Sequence, residues 1–77
     1  MLVRGATVTT ATITNQSEVI MIIDNIFEFK IGDIVEIFDA ERWSILGHIN
    51  DPKAAALDFH KNNFTIMGKP ARVIRRA

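Results

Sequence analysis

Short hydrophobic segments alternate with polar turns along most of the chain. β-Branched and aromatic residues are frequent in the segments, which favours strands over helices. Asn, Asp, Gly and Pro occupy most of the breaks between them, and these residues suit the dihedral angles of tight turns. The pattern predicts strands over residues 6–14, 18–24, 34–38, 43–49, 64–67 and 71–76, with a further apolar segment at 26–29.

Two of the segments are hydrophobic at both odd and even positions. Residues 34–38 are apolar on both parities except at Glu36, and residues 19–23 have no polar position. Such a strand has both faces covered in its sheet. A chain of 77 residues without disulfides can hardly cover both faces by itself, and oligomerisation is a usual reinforcement of small domains. Residues 19–23 therefore predict a subunit interface, which is formed by Val19, Ile20, Met21, Ile22 and Ile23.

Residues 43–49 alternate as a half-buried strand does. One face receives Trp43, Ile45 and Ile49, and the other receives Ser44 and His48. Trp43 is therefore predicted to lie in the core, whereas an exposed tryptophan would be the strongest candidate for a binding hot spot. The same core is predicted to hold most of the phenylalanines, Phe27, Phe29, Phe38, Phe59 and Phe64.

The segment 50–63 is ambiguous between a helix and a strand. Asp51 is a suitable N-cap, Pro52 suits the first helical position, and three alanines follow. A helix from Pro52 to about His60 is therefore favoured. The alternative is a strand, because hydrophobic residues also alternate at positions 55, 57 and 59.

The elements together predict an all-β domain. Six or seven short strands with at most one short helix, and turns at regular spacing, are typical of a small barrel or sandwich. The segment FKIGDIVEI, followed by a polar turn and RWSILGHI, resembles the core of SH3-like barrels, among them Tudor-type, KOW-type and integrase C-terminal domains. This resemblance implies binding of nucleic acid or of a protein tail.

Two further resemblances concern the function. The closing GKPARVIRRA is similar in character to the basic last strand of integrase-type domains, which implies contact with nucleic acid. In its general character the chain also resembles the small β-rich adaptor and completion proteins of tailed-phage virions. This second resemblance implies a structural role in a virion.

Composition excludes several kinds of site. The chain has no cysteine, which excludes disulfides and thiolate metal sites, and its four glycines are isolated, so it has no phosphate-binding loop. The first residues lack the apolar stretch of a signal peptide, and the longest apolar run, residues 19–23, is too short to span a bilayer. We therefore predict a cytoplasmic or virion protein that needs no cofactor and does not enter a membrane.

Charge is balanced overall but unevenly distributed. Residues 18–41 contain seven acids and a single base, Lys30, whereas the last nine residues contain four bases and no acid. The basic end could pair with the acidic strands of its own subunit, or it could dock on a neighbouring subunit. The second interpretation predicts an interface in which the acids Glu28, Asp33, Glu36 and Asp39 meet the bases Lys69, Arg72, Arg75 and Arg76.

The histidines offer candidate metal ligands. His48 and Asp51 are three residues apart across a turn, and Asp58 and His60 would share a face of a strand. Zinc usually takes four ligands, and each pair supplies two. We favour the simpler interpretation, in which His48 lies along a strand and His60 on the surface.

Catalytic chemistry has little support in the sequence. Ser17 and Ser44 are the only serines, and neither stands in a G-x-S-x-G motif. Asp33, Glu36 and Asp39 could line a cleft for acid–base chemistry, but they equally suit turns and solvated strand positions. A short chain also has little room for a substrate pocket of several hundred Å3. We therefore predict neither enzyme activity nor a small-molecule substrate.

Two functions remain as hypotheses. The first is a structural module that associates with itself or with another protein in a larger assembly. The alternative is an accessory or regulatory domain that binds nucleic acid, because basic side chains neutralise phosphates and an aromatic ring can stack on a base. Its candidate residues are Arg42, Trp43, Lys69, Arg72, Arg75 and Arg76.

Overall fold

The computed structural model describes residues 10–13 and 19–76. This part of the chain confirms the predicted all-β class with one short helix. It also decides the ambiguous segment 50–63 in favour of the helix, whereas most of the predicted strand 6–14 lies outside the described residues. The elements are strands β1 (Thr10–Ile13) and β2 (Val19–Ile22), a 3₁₀ helix (Ile26–Glu28), strands β3 (Ile34–Asp39) and β4 (Arg42–His48), helix α1 (Pro52–Lys61), and strands β5 (Thr65–Ile66) and β6 (Lys69–Arg76).

The strands form an antiparallel sheet with the order β1-β2-β6-β3-β4, and β5 pairs with β6 as a short hairpin. The last strand of the chain, β6, therefore lies in the middle of the sheet, between β2 and β3. Pairing of β1 with β4 would close a barrel, and no such pair occurs among the described strands.

Helix α1 and the 3₁₀ helix cover one face of the sheet. Asp51 caps α1, because its Oδ1 accepts a hydrogen bond of 3.2 Å from the backbone N–H of Ala54. This cap and Pro52 at the first helical position explain why the helix forms despite the strand-like alternation. The main core between helix and sheet is formed by Ile23, Phe29, Ile37, Ile49, Phe59, Ala71 and Val73.

A second hydrophobic cluster lies on the opposite face of the sheet. It consists of Ile20, Ile34 and Ile74, with Ile22 packed against it. Residues from both parities of the segment 19–23 are thus buried within one chain, since Ile23 belongs to the main core. The prediction that this segment needs a second subunit to cover it was wrong for Ile20 and Ile23, because the sheet carries a cluster on each face.

A β-bulge in β4 overturns the predicted alternation of residues 43–49. Val35 pairs with Gly47 but Glu36 pairs with Ile45, which leaves Leu46 as an extra residue. Such an extra residue shifts the following side chains to the other face. Trp43 and Ile45 therefore share the face of Ile34, whereas Ile49 lies in the main core. Trp43 is half-buried and belongs to neither cluster, so its predicted place in the core was wrong.

The hairpin between β3 and β4 offers a first prediction. Its two turn residues, Ala40 and Glu41, have positive φ angles of 52° and 63°, which residues with a Cβ adopt at a cost of about 1–2 kcal/mol each. Asn-Gly is the preferred pair for such a two-residue turn. We expect Ala40→Asn with Glu41→Gly to raise the free energy of unfolding by about 1–2 kcal/mol in urea titration.

The β5–β6 hairpin provides the opposite control. Gly68 already occupies its second turn position with φ of 75°, and a Cβ added there would meet no atom within 4 Å. Gly68→Ala should therefore destabilise the protein through backbone conformation alone. The Asn-Gly variant could prove no more stable than the wild type while Gly68→Ala loses stability. The positive φ angles of the β3–β4 turn would then not limit the stability of the protein.

Candidate interaction surface

Three ion pairs join β6 to β3 and to the residue that precedes β3. Arg75 contacts Asp33 at 2.7 Å, Arg72 contacts Glu36 at 2.8 Å, and Lys69 contacts Asp39 at 2.9 Å. The register explains the set, because Glu36 lies directly opposite Arg72 in the antiparallel pair. The interpretation in which the basic strand pairs within its own subunit is therefore the correct one. Lys69, Arg72 and Arg75 therefore have acidic partners within the same chain, and docking of the basic end on a neighbouring subunit stays a prediction.

Asp33 is the most buried of the three paired carboxylates. Asp33 accepts hydrogen bonds from Nε and Nη2 of Arg75 at 2.7 and 2.8 Å, and from the backbone N–H of Lys30 at 2.9 Å. Arg75 also donates to the backbone oxygen of Glu28 at 3.1 Å. The hydrogen bond to Asp33 raises the pKa of Arg75 above its ordinary value, so the guanidinium remains charged. Asp33 thus fixes the turn before β3.

The outermost pair is exposed to solvent. The hydrogen bond from the Lys69 ammonium lowers the pKa of Asp39 below its ordinary value. This carboxylate therefore stays ionised at neutral pH, and its interaction is lost only as the pH falls through that lowered value. Because both side chains are about half exposed, solvent screens the pair and it adds little stability.

The residues predicted to bind nucleic acid do not form one positive patch. Lys69, Arg72 and Arg75 are paired with carboxylates, and Arg72 also lies over the ring of Trp43, with 4.2 Å between its Cζ and the ring centroid. Arg42 lies opposite Asp39 in the strand register, at the hairpin end of the sheet, and Arg76 lies at the far end of β6.

The candidate metal ligands are divided between two sides of α1. His48, Asp51 and Asp58 line a cleft of about 660 Å3 next to the β5–β6 turn, whereas His60 lines a different groove. Asp51 is also engaged as the helix cap. Within the described part of the chain, no group of three histidine, aspartate or glutamate side chains could hold a metal ion.

A hydrophobic groove between the 3₁₀ helix and α1 is the site that the sequence pattern did not reveal. Its volume is about 720 Å3. Phe27 protrudes on one side and is 87% exposed, and Leu57 protrudes on the other and is 70% exposed. We refer to this site as the Phe27–Leu57 groove, which is lined by Ile26, Phe27, Phe29, Pro52, Lys53, Ala56, Leu57 and His60.

Local hydrogen bonds direct Phe27 outward. The side chain of Asn25 caps the 3₁₀ helix by accepting a bond of 2.9 Å from the backbone N–H of Phe27. Phe29, two residues later, is buried against Phe59 with 5.4 Å between the ring centroids. Phe27 was predicted to lie in the core, and that prediction was wrong, because the 3₁₀ turn separates two side chains that a strand would place together.

A second exposed hydrophobic patch lies on the opposite face of the sheet. Phe38 packs edge-to-face against Trp43, with 5.3 Å between centroids, and Ile45 beside them is 52% exposed. Arg72 covers part of the tryptophan ring. Because Phe38, Trp43 and Arg72 already contact one another, this patch is a weaker candidate for binding than the Phe27–Leu57 groove.

Comparison of the chain with protein-family models, with curated proteins and with solved structures found no match. In the part of the chain that is described, no helix is long and apolar enough to cross a membrane.

Proposed function

We propose that this chain is a non-enzymatic structural module that docks in a larger assembly by binding a protein partner in its Phe27–Leu57 groove. The observation that supports this function is the pair of protruding side chains, Phe27 and Leu57, on the two walls of one groove. Contiguous exposed hydrophobic surface on a small soluble domain marks an interaction site, because leaving it in water costs free energy.

The two surfaces first expected to mediate self-association are now poor candidates. The apolar segment 19–23 buries Ile20 and Ile23 within the chain, and Lys69, Arg72 and Arg75 already have partners there. Docking onto a different protein is therefore better supported than assembly into rings or filaments. The SH3-like and virion resemblances stay predictions, and a virion is one assembly that such a module would suit.

The nucleic-acid hypothesis has less support. A phosphate backbone is bound by several basic side chains that release counterions when they contact it. Here, binding would first have to break the ion pairs of Arg72 and Arg75. We therefore expect no salt-dependent binding of a labelled single-stranded oligonucleotide in a fluorescence anisotropy titration.

Site-specific photo-crosslinking in cells tests the proposed docking site. A photoreactive phenylalanine at position 27 should give a crosslinked species of discrete mass, because that side chain lies in the interface. The same group at Ile45 is a matched control, since that residue is also apolar and 52% exposed but lies on the other face of the sheet. We expect no discrete species from position 45.

Other outcomes would contradict the proposal. A discrete adduct from position 45 alone would indicate that the binding surface lies on the face of the sheet that carries Trp43. An adduct of twice the mass of the chain, together with a dimer in light scattering, would indicate self-association in place of docking. An adduct removed by nuclease would favour the nucleic-acid hypothesis.

A further inference from the structure

The walls of the Phe27–Leu57 groove differ in chemistry. Helix α1 contributes Lys53, Ala56, Leu57 and His60, a spacing of three, four and seven residues that places all four on one helix face. The 3₁₀ side contributes only hydrophobic side chains, Phe27 among them. The groove is therefore apolar in its middle and has a basic residue toward each end of its helical wall.

Lys53 is the only lining residue of the groove that is charged over the whole ordinary pH range. Of its eight lining residues, Lys53 and His60 are the ionisable ones, and no acid is among them. Resting on the proposed docking function, we infer that the groove binds a short amphipathic acidic segment of another protein. Its apolar side chains would contact Phe27 and Leu57, and a carboxylate would pair with Lys53. Complementary charge of this kind fixes register and excludes wrong partners.

The size of the groove limits the length of the segment. Helix α1 has 10 residues, which corresponds to about 15 Å at 1.5 Å per residue. A partner helix of about ten residues, or an extended peptide of about five residues, matches this length. Such a segment lays an apolar face into the groove and presents charged residues at its margins.

Two other occupants fit the groove less well. Two copies of the groove facing each other would place two Lys53 ammonium groups in one interface without an acidic lining residue to pair with them, which is unfavourable. A lipid surface would contact the protruding tips of Phe27 and Leu57 but would not fill a concave volume of about 720 Å3 between them.

A charge-swap experiment tests the inference. The probes are two labelled amphipathic peptides of about twelve residues, with the same leucine pattern and either glutamate or lysine at the polar positions. We expect the glutamate peptide to shift the amide resonances of Phe27, Ala56 and Leu57 in NMR spectra. We also expect it to bind the wild type at least about tenfold more tightly than the lysine peptide does.

Lys53→Glu should reverse this preference. The variant should remain folded, because Lys53 is exposed in the first turn of α1, where an acidic residue interacts favourably with the helix dipole. The glutamate peptide should lose about tenfold in affinity and the lysine peptide should gain. Lys61→Glu is the matched control, since Lys61 is on the same helix but does not line the groove, and it should leave the preference unchanged.

The results separate this inference from the proposed function. Equal binding of both peptides, or no effect of Lys53→Glu, would overturn the acidic segment, whereas crosslinking from position 27 would still support docking. Vesicles containing anionic lipid that shift the same resonances when neither peptide does so would overturn it in favour of a membrane. Absence of both peptide binding and crosslinking would overturn the inference and the docking function together.

Discussion

Replacing Asp33 with alanine should lower the free energy of unfolding by about 3–5 kcal/mol, the range found when one partner of a buried ion pair is removed. Asp33 is only 3% exposed and accepts three hydrogen bonds, two of them from Arg75. Its loss removes the ion-pair partner of the Arg75 guanidinium and leaves the Lys30 N–H without its acceptor. Urea denaturation at neutral pH measures the change.

Asp39→Ala is the matched control for this prediction. Asp39 also pairs with a basic residue of β6, but both partners are about half exposed, so its replacement should have little measurable effect. The loss for Asp33→Ala should persist at high salt, because ions screen a buried pair less than an exposed one. Equal effects of the two substitutions would mean that burial does not set the strength of these pairs.

The ion pairs also illustrate what the sequence could and could not predict. The separation of an acidic middle from a basic end was visible in the chain, and pairing of the C-terminal strand with the acidic strands followed as one interpretation. Which carboxylate meets which base depends on the register of β3 against β6, residues more than thirty positions apart in the case of Glu36 and Arg72. No local pattern determines that register, so the sequence could not decide between pairing within a subunit and the predicted pairing between subunits.

Helix α1 was predictable because its signals are local. Asp51 and Pro52 act within one turn of the helix that they start. The bulge at Leu46 gave no such signal, because its residues continue the alternation of a regular strand. The bulge is defined only by the pairing of β4 with β3. Because of it, Trp43 lies on the face of Ile34 and not in the main core, where it was predicted to lie.

The Phe27–Leu57 groove also could not be predicted from local sequence patterns alone. The face of α1 that carries Lys53, Leu57 and His60 could have been read from the helical period once the helix was accepted. The opposite wall of the groove could not be predicted, since a single 3₁₀ turn makes Phe27 exposed and Phe29 buried. A strand over the same residues would have placed both rings on one face. The groove is thus created by the packing of two short elements, the 3₁₀ helix and α1.

Replacing Phe59 with alanine should cost about 3–5 kcal/mol of unfolding free energy, the range typical of a buried phenylalanine. Phe59 is the buried residue of α1. Its ring packs edge-to-face against Phe29 and Phe64, with centroid distances of 5.4 and 5.0 Å. Truncation removes both contacts and leaves a cavity under the helix, and thermal or urea denaturation followed by circular dichroism measures the loss.

Phe27→Ala makes the same chemical change on the surface and provides the control. Phe27 is 87% exposed, so its removal should change stability by less than about 0.5 kcal/mol. We expect Phe27→Ala to weaken peptide binding while the protein remains folded. Phe59→Ala should instead destabilise helix α1, which forms one wall of the groove. Hydrogen exchange would then show reduced protection in α1. If Phe59→Ala retained stability within about 1 kcal/mol, α1 would not be held by this aromatic cluster, and the groove would lack the rigid wall that docking requires.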